Sequence, residues 1–440
     1  MYRHAARSKR SRGTATGLAL ALTTTVLGLV AAWPARGSEP LPAARPETLG
    51  LSAERLARLG AAMRTHVERG ELAGVVVLVA RRGQIAYFEA FGKREIAAGA
   101  PMERDTIFRI YSMTKPVTSV AALLLLEEGK LLLGDPVTKY VPELAGLRVL
   151  ADPAGPLDRT VSLEREITIR DLLTHTAGFT YDHMAQGPIG EANGRLEREA
   201  VAGGLDLPAW IRRLAALPLV HQPATLWHYG VSTDVLGQVV AVASGLPLDV
   251  FFRERIFGPL GMVDTDFSVP AEKLQRFAAS YGPGERGELV AIDTPATSPY
   301  RLPPRWLSGG GGLVSTAGDF LRFCQMLLGG GELEGTRLLG RKTVELMTRN
   351  HLSDAELEAP FLRKWFPGWG FGLGVAVVTD VARTGLPGSE GEYGWNGAAS
   401  TSFWVDPAEE LIAIQMTQLM PFRSGLPSEL RALVYPAIAD

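Results

Sequence analysis

The chain has 440 residues, of which 46% are hydrophobic and 21% charged, a composition that suits a globular protein with a large core. Its formal net charge of −2 provides no general attraction for nucleic acid, so no nucleic-acid partner is expected. The single cysteine, Cys324, excludes an internal disulfide and cysteine-rich metal sites. Cys324 falls in an apolar, helix-like segment, which predicts a buried structural thiol rather than a nucleophile.

The first 37 residues have the features of an export signal. Several basic residues precede an apolar stretch over 17–32, and the small residues Ala35 and Gly37 follow. This pattern predicts a signal peptide over 1–37 and a periplasmic or secreted mature protein without membrane contact after cleavage. A retained membrane anchor is the competing interpretation, although the apolar stretch is short for a span. Residues 38–50, rich in Pro and Ala, are predicted to form a linker.

The next elements are predicted to alternate between helices and strands. Ser52 is placed to cap a first helix, and two strand-like segments, 75–79 and 84–91, flank a predicted hairpin turn. A long apolar helix follows Ser112. Residues 136–304 are mostly helix-like and are interrupted by Gly and Pro, which predicts a helical insert.

Strand-like segments return in the last third of the chain, at 371–378, 399–405 and 411–417, before a closing helix at 428–438. A helix after the glycine run 309–312 has Thr316 and Asp319 spaced as a capping box. Strands at both ends predict an α/β (α+β) domain over 51–440, in which an antiparallel sheet is flanked by helices. Segments 51–135 and 305–440 form its α/β part, and the insert is a helical lobe. A cleft between the two parts is the expected site.

Tyr111-Ser112-Met113-Thr114-Lys115 is the segment with the clearest chemistry. In a helix, Ser112 and Lys115 share one face a turn apart, with Ser112 near the positive N-terminal end. A serine becomes a nucleophile when a base lies within hydrogen-bond reach, and the lysine is placed to supply it. Alone, this motif is weak, because serine and lysine are common residues.

Two downstream segments have similar potential. His228-Tyr229-Gly230 precedes a predicted helix, so Tyr229 can direct its hydroxyl into a cleft, although an ordinary half-buried tyrosine has the same pattern. The segment 393–401 contains Trp395, Asn396 and Gly397 and precedes a strand. As an edge strand it would border the cleft and offer the N–H of Ala398 to a developing oxyanion.

These segments, taken in order, resemble the serine β-lactamase and penicillin-binding-protein superfamily. Ser112-x-x-Lys115, Tyr229 and Trp395-x-Gly397 are most similar to the class C β-lactamase-like branch, which includes the family VIII carboxylesterases. Leu-Leu-Thr-His-Thr-Ala-Gly-Phe at 172–179 and the glycine run with 313–317 also match. The resemblance extends from about residue 51 onward and implies a β-lactamase/transpeptidase-like fold.

The resemblance implies a role for each matching residue. Ser112 would be the nucleophile that forms an acyl-enzyme, Lys115 would help to deprotonate it, and Tyr229 would act as general base in both half-reactions. The backbone N–H groups of Ser112 and Ala398 would form the oxyanion hole. Because free lysine and tyrosine both titrate near ~10, we hypothesise that a buried Lys115–Tyr229 pair shares one mobile proton.

The sequence departs from the β-lactamase pattern at two positions. Val231 stands where Tyr-x-Asn has its asparagine, and Trp395 and Asn396 replace the lysine and threonine of Lys-Thr-Gly. These changes remove polar anchors for a β-lactam, each worth on the order of 1–3 kcal/mol when buried, and favour an uncharged ester. Residues predicted to contact substrate are Trp395, Asn396, Gly397, Tyr111 and Val231.

Other chemistries lack support. There is no G-x-S-x-G or H-E-x-x-H motif and no phosphate-binding loop, so neither a metal nor a cofactor is expected. His175 is predicted to hydrogen-bond within its loop, and Trp365, Trp369 and Phe371 to form an aromatic cluster in the core or the acyl pocket. The sequence thus predicts an exported serine hydrolase, foremost a carboxylesterase on small esters. A β-lactamase or D-Ala-D-Ala carboxypeptidase, or a non-catalytic binding module, are the alternatives, and the oligomeric state stays open.

Overall fold

The computed structural model describes residues 41–440, so the predicted signal peptide over 1–37 and residues 38–40 of the predicted linker lie outside the described part. Within that part, helices cover both faces of a central antiparallel sheet and form a lobe beside it. This architecture confirms the predicted fold class. Residues 41–50 lie against the sheet, where Leu41 and Leu49 are buried and Ala43 pairs with Ile85.

The strands are β1 (Gly74–Arg81), β2 (Gln84–Glu95), β3 (Ala100–Pro101), β4 (Phe108–Arg109), β5 (Arg148–Leu150), β6 (Thr160–Ser162), β7 (Ser280–Pro283), β8 (Leu289–Asp293), β9 (Val314–Ser315), β10 (Glu332–Leu333), β11 (Thr336–Arg337), β12 (Trp369–Phe371), β13 (Ala376–Val378), β14 (Tyr393–Asn396), β15 (Ser402–Asp406) and β16 (Leu411–Thr417). The α-helices are α1 (Ala53–Glu68), α2 (Thr114–Glu127), α3 (Ile169–Leu173), α4 (Pro188–Val201), α5 (Leu207–Leu214), α6 (Ser232–Ser244), α7 (Leu248–Phe252), α8 (Gly258–Leu260), α9 (Ala317–Leu328), α10 (Arg341–Met347), α11 (Asp354–Leu357), α12 (Pro360–Trp365), α13 (Val381–Thr384) and α14 (Gly425–Val434).

The main sheet has the strand order β12-β13-β14-β15-β16-β1-β2-β3, and every neighbouring pair is antiparallel. The predicted hairpin joins β1 and β2 through Arg82 and Gly83, which both have positive φ, as a tight two-residue turn requires. β1 also pairs with β16, placing Val75 opposite Thr417. Distant parts of the chain therefore build one sheet, as the sequence predicts.

β1 separates two apolar cores. Successive side chains of a strand point to opposite faces, so Val76 and Leu78 join the large core with α2 and α9. Val75 and Val77 join a second core with α1 and α14. A strand covered on both faces can be apolar throughout, which explains the unbroken apolar segment found here.

Helix α2 is the central helix of the large core. Its side chains are buried from Thr114 to Leu125, and it lies against α6 and α7 of the helical lobe. A helix surrounded by protein has no solvent-exposed polar face, which accounts for its largely apolar sequence. The residues that precede α2 are thereby held between the sheet and the lobe.

The structure corrects three local predictions. The predicted strand 371–378 is a hairpin, β12–β13, because Gly374 adopts φ +92 and turns the chain. For the same reason β14 is not an edge strand: it lies between β13 and β15. The capping box at α9 is half formed, since Thr316 accepts from the N–H of Asp319, whereas the Asp319 carboxylate binds Asp264 N and Thr265.

The insert also contains short hairpins, β5–β6 and β7–β8, besides its helices. Within residues 41–440, no single helix has the length and apolarity to cross a bilayer. The two helical segments Ser232–Ser244 and Leu248–Leu260 have the required length and apolarity only when they are counted together, and a bend of 79° separates them.

Candidate active site

Ser112 lies in a 3-10 turn, Tyr111–Met113, that leads directly into α2. Tyr111 has φ +41, a left-handed conformation that is uncommon outside glycine and often marks a functional site. The preceding Arg109 is fully buried, and its backbone N–H and C=O both bond the Gln418 side chain, at 3.2 and 3.0 Å. The segment before Ser112 is therefore fixed on the sheet.

Lys115, one turn further along α2, is fully buried, and its amine meets three oxygen atoms. Nζ donates to Ser112 Oγ at 3.1 Å, to Tyr181 Oη at 3.0 Å and to the Gly310 carbonyl at 2.7 Å. The structure thus brings Ser112 and Lys115 into hydrogen-bond contact, as their spacing predicts.

Tyr229 reaches the same serine from the loop before α6. Its hydroxyl lies 2.7 Å from Ser112 Oγ and accepts a hydrogen bond from the Trp395 indole N–H at 3.3 Å. The hypothesised direct pairing with Lys115 is not formed, because Lys115 Nζ lies over the Tyr229 ring, 4.7 Å from its centroid. The two groups meet at Ser112 Oγ instead, and the phenol bonded to Lys115 is Tyr181.

The loop after β14 brings a backbone donor towards Ser112. A Cβ at Gly397 would collide with the Ile110 carbonyl, so only glycine permits this close approach. The Gly397 N–H is bonded to Thr401 O at 2.8 Å. In the described part of the chain, the N–H groups of Ser112 and Ala398 have no hydrogen-bond partner, which leaves both available for a substrate oxyanion.

Aromatic rings surround Tyr229 and Trp395. The Trp395 ring packs against Tyr229 at 5.4 Å, Phe371 at 5.3 Å and Phe366 at 6.0 Å between centroids. The predicted cluster of Trp365, Trp369 and Phe371 is wrong, because only Phe371 joins this group. Trp365 is 55% exposed on α12, and the Trp369 ring packs under the Arg431 guanidinium.

His175 also belongs to this aromatic group, and its ring lies 4.8 Å from that of Tyr229. The prediction that its side chain hydrogen-bonds within the loop is wrong: among residues 41–440, neither ring nitrogen has a partner. Only its backbone is bonded, accepting from the His228 N–H at 2.8 Å. Burial, and then the charge of Lys115, lowers the pKa of His175 well below its usual value, so the imidazole stays neutral.

The sequence reasoning missed Tyr181 and the Gly310 carbonyl. Tyr181 lies two residues after the 172–179 segment, and burial, then Asp234, raises the pKa of its phenol well above the usual value. It is therefore a neutral partner of Lys115. The glycine run is a packed loop, whose consecutive carbonyls at Gly309 and Gly310 accept from Thr118 and Lys115. The matching motifs pointed to both segments without indicating which atom each supplies.

The residues predicted to contact substrate lie at different depths and positions in the fold. Trp395 and Asn396 end β14, beyond the last residue that pairs with β13, and Asn396 is half-buried. Tyr111 is half-buried beside Ser112. Val231 is buried in the large core, so its contact with substrate stays a prediction. Among residues 41–440, no cluster of His, Cys, Asp and Glu is arranged to hold a metal ion.

The fold and the Ser–Lys–Tyr arrangement define the class of β-lactamase-like serine hydrolases. The family model described as Beta-lactamase matches residues 59–434, and the chain belongs to this family. An uncharacterised protein of Mycobacterium tuberculosis is 43% identical over 82% of this chain and 89% of its own length. Esterase EstB of Burkholderia gladioli is 34% identical, covering 84% and 93%.

A similar solved structure is that of EstCE1, described as a hydrolase with promiscuous acyltransferase activity. It has a TM-score of 0.73 and 29% sequence identity, and the match covers 87% of this chain and 98% of that one. These matches confirm the family resemblance and the fold. The protein is a serine hydrolase of the Beta-lactamase family.

Proposed function

We propose that this protein is a carboxylesterase that hydrolyses small uncharged esters through an acyl-enzyme on Ser112. The observation that carries the proposal is the convergence of Lys115 Nζ and Tyr229 Oη on Ser112 Oγ, at 3.1 and 2.7 Å. EstB and EstCE1, an esterase and a hydrolase by name, support the same chemistry.

In acylation, the ester carbonyl oxygen is directed to the N–H groups of Ser112 and Ala398. With Tyr229 in its phenolate form, Ser112 Oγ transfers its proton to the Tyr229 oxygen and forms a bond to the carbonyl carbon, giving a tetrahedral oxyanion. The C–O bond to the alcohol then breaks, and the departing oxygen takes the proton back from Tyr229. In deacylation, Tyr229 accepts a proton from water as the water oxygen forms a bond to the acyl carbon. The bond between that carbon and Ser112 Oγ then breaks, the carboxylic acid leaves, and Ser112 Oγ takes the proton back from Tyr229.

Trp395 supports the choice of an uncharged ester. It stands where the β-lactamase pattern has a lysine, and it presents an indole whose single N–H is already bonded to Tyr229. A substrate carboxylate would therefore lose water there without meeting a cation, which is unfavourable. Phe366 and Phe371, packed on Trp395, add apolar surface for an acyl or alcohol group.

The test compares mature wild type, Ser112→Ala and the control Ser162→Ala, which alters an exposed serine of the lobe. Each is assayed with p-nitrophenyl butyrate and a chromogenic cephalosporin, and each is treated with a fluorophosphonate probe. We expect faster turnover of the ester and labelling in wild type and control, and neither in Ser112→Ala. A better rate on the cephalosporin would favour a β-lactamase. A wild type that neither reacts nor becomes labelled would favour a binding module.

We also propose that the protein is exported and acts in the periplasm or outside the cell. The basic region, apolar stretch and small residues before Gly37 support this location. Amino-terminal sequencing of protein recovered from the periplasm or medium tests it. A new terminus near residue 38 is expected, whereas intact protein in the cytoplasm or membrane would contradict the proposal.

A further inference from the structure

Asp234 is a buried carboxylate next to the candidate active site, yet it does not touch the nucleophile. It lies in the first turn of α6 and is 1% exposed. One of its oxygens, Oδ1, accepts from the Ser308 hydroxyl at 2.5 Å and from the Gly310 N–H at 3.1 Å. Burial raises the pKa of this carboxyl above its usual value, whereas the charge of Lys115 and then these two donors oppose the rise and favour the ionised form.

Asp234 is connected to Lys115 through one residue. The Gly310 N–H is bonded to Asp234, and the carbonyl of the same residue accepts from Lys115 Nζ at 2.7 Å. A Cβ at Gly310 would collide with the Asp234 carboxylate, so glycine is required for this packing. The Asp234 carboxylate thus holds the Gly310 loop, and this loop in turn holds the Lys115 amine. Asp234 also supplies a negative charge near the buried Lys115 cation.

We propose that Asp234 is a positioning residue that orients Lys115 through Gly310 and, by its charge, keeps the amine protonated during acyl transfer. The inference rests on the proposed function, because it concerns the group that serves Ser112. With Lys115 held as a cation, Tyr229 is left as the group that accepts the serine proton. Asp234 would thereby divide the roles between two residues that bind the same hydroxyl.

The groups that face Asp234 are Lys115 on α2, Tyr181 in the loop after α3 and Glu197 on α4. Glu197 is half-buried. Burial, and then Asp234, raises its pKa to about 7. Glu197 is therefore the second acidic charge near the amine, and replacing it provides a matched control.

The experiment measures kcat/KM for p-nitrophenyl butyrate against pH with wild type, Asp234→Asn and Glu197→Gln. Asparagine can keep an oxygen towards Ser308 and Gly310 but removes the charge, which favours deprotonation of the amine and phenol. We expect both limbs of the profile to move to lower pH by about one unit in Asp234→Asn. We also expect the maximum value of kcat/KM in Asp234→Asn to be about 10-fold lower than in wild type, because a Tyr229 that is a weaker base accepts the serine proton more slowly.

A folded Asp234→Asn enzyme with unmoved limbs would overturn the proposal, as would a shift seen only in Glu197→Gln. Asp319→Asn, which alters a buried carboxylate at α9, is the control for burial and should leave the profile unchanged. If Asp234→Asn does not fold, Ser308→Ala decides: we expect about 3- to 10-fold lower kcat at unchanged KM. Wild-type activity in Ser308→Ala would overturn the proposal. A wild type without esterase activity or probe labelling would instead overturn the proposed function.

Discussion

The two sides of Ser112 are built differently. On the lysine side, formed by Lys115, Tyr181, Gly310 and Asp234, polar atoms are paired at 2.7–3.1 Å. The tyrosine side, formed by Tyr229, Trp395, His175 and Phe371, is held by ring packing, with one long hydrogen bond of 3.3 Å.

This difference separates two tasks. A cation needs several acceptors to stay buried, and the lysine side supplies them. The phenol of Tyr229 must donate and accept a proton, and this exchange is easier when its neighbours do not accept that proton themselves. The Trp395 indole can only donate, and the phenol therefore shares its proton with Ser112 alone. Hydrogen bonds hold the charged amine of Lys115 in place, whereas aromatic packing orients the hydroxyl of Tyr229.

Breaking the lysine side should have the largest effect. Lys115→Met keeps a flexible apolar side chain in the same space but removes the cation from Ser112, Tyr181 and Gly310. We expect kcat/KM for a p-nitrophenyl ester to fall by about 10³-fold or more. Lys139→Met, on the surface beside Asp135, is the control and should retain wild-type activity. A loss below 10-fold in Lys115→Met would mean that the amine is dispensable.

Removing the hydroxyl on each side compares the two phenols directly. Tyr229→Phe should lower kcat for a p-nitrophenyl ester by about 10²–10³-fold and allow the acyl-enzyme to accumulate, because p-nitrophenolate leaves without a proton and acylation therefore needs the base less than deacylation does. Tyr181→Phe should cost about 10-fold or less, since it removes one partner of Lys115. Intact-protein mass spectrometry after mixing with ester measures the trapped acyl group. Equal losses without accumulation would contradict the separate roles.

The indole N–H is the only polar link from Trp395 to Tyr229, and Trp395→Phe removes it while keeping an aromatic ring. We expect about a 5-fold loss in kcat/KM, the order of a single neutral hydrogen bond. Phe366→Leu, which alters a ring stacked on Trp395, serves as the packing control. If both variants lose activity equally, Trp395 contributes only its shape.

The neutral His175 on the tyrosine side makes the stability of the fold depend on pH. Folding holds His175 uncharged, so the unfolded chain binds more protons below pH ~6.5, and the free energy of unfolding falls as pH decreases. His228, whose pKa burial lowers to about 4, acts in the same direction. His66 acts oppositely: burial lowers its pKa, but hydrogen bonds to Glu429 and Glu71 outweigh this and raise it, so its stabilisation persists in acid and is lost as pH rises.

We therefore expect the thermal midpoint to fall by a few degrees between pH 7 and pH 5. The dependence should be weaker in His175→Asn, because asparagine tolerates the positive φ found there and does not titrate. His183→Asn, which changes an exposed histidine, is the control and should retain the wild-type dependence. An unchanged slope in His175→Asn would show that this imidazole is not the responding group.

Much of the fold could be predicted from local patterns. The β1–β2 hairpin and α1 follow from apolar spacing, the Ser52 cap and turn residues, and the order of the motifs indicated the family. The split of 371–378 into two strands was missed, because Gly374 takes a conformation that apolar pattern does not reveal. That error also placed β14 at the edge of the sheet.

In the site, the contact between Ser112 and Lys115 follows from their three-residue spacing across the 3-10 turn and the start of α2, whereas the contacts of Tyr181 and Asp234 do not follow from local spacing. Those residues reach Lys115 from separate segments, and one of the links is a backbone carbonyl whose position has no signature in side-chain identity. The partnerless imidazole of His175 was equally hidden. Sequence alone favours hydrogen bonds for histidine, and only tertiary packing shows that aromatic rings fill its surroundings.

The pairing of β1 with β16 also bears on how the protein is made. Val75 acquires its second neighbour only when Thr417 is available, so any hairpin that β1 and β2 form before β16 is synthesised has one unpaired side. An apolar, unpaired strand edge invites association with other chains. Translation pauses late in the message, or deletions that remove β16, should therefore lower the soluble yield more than changes to the helical lobe do. A chaperone that shields β1 during synthesis should raise the soluble yield.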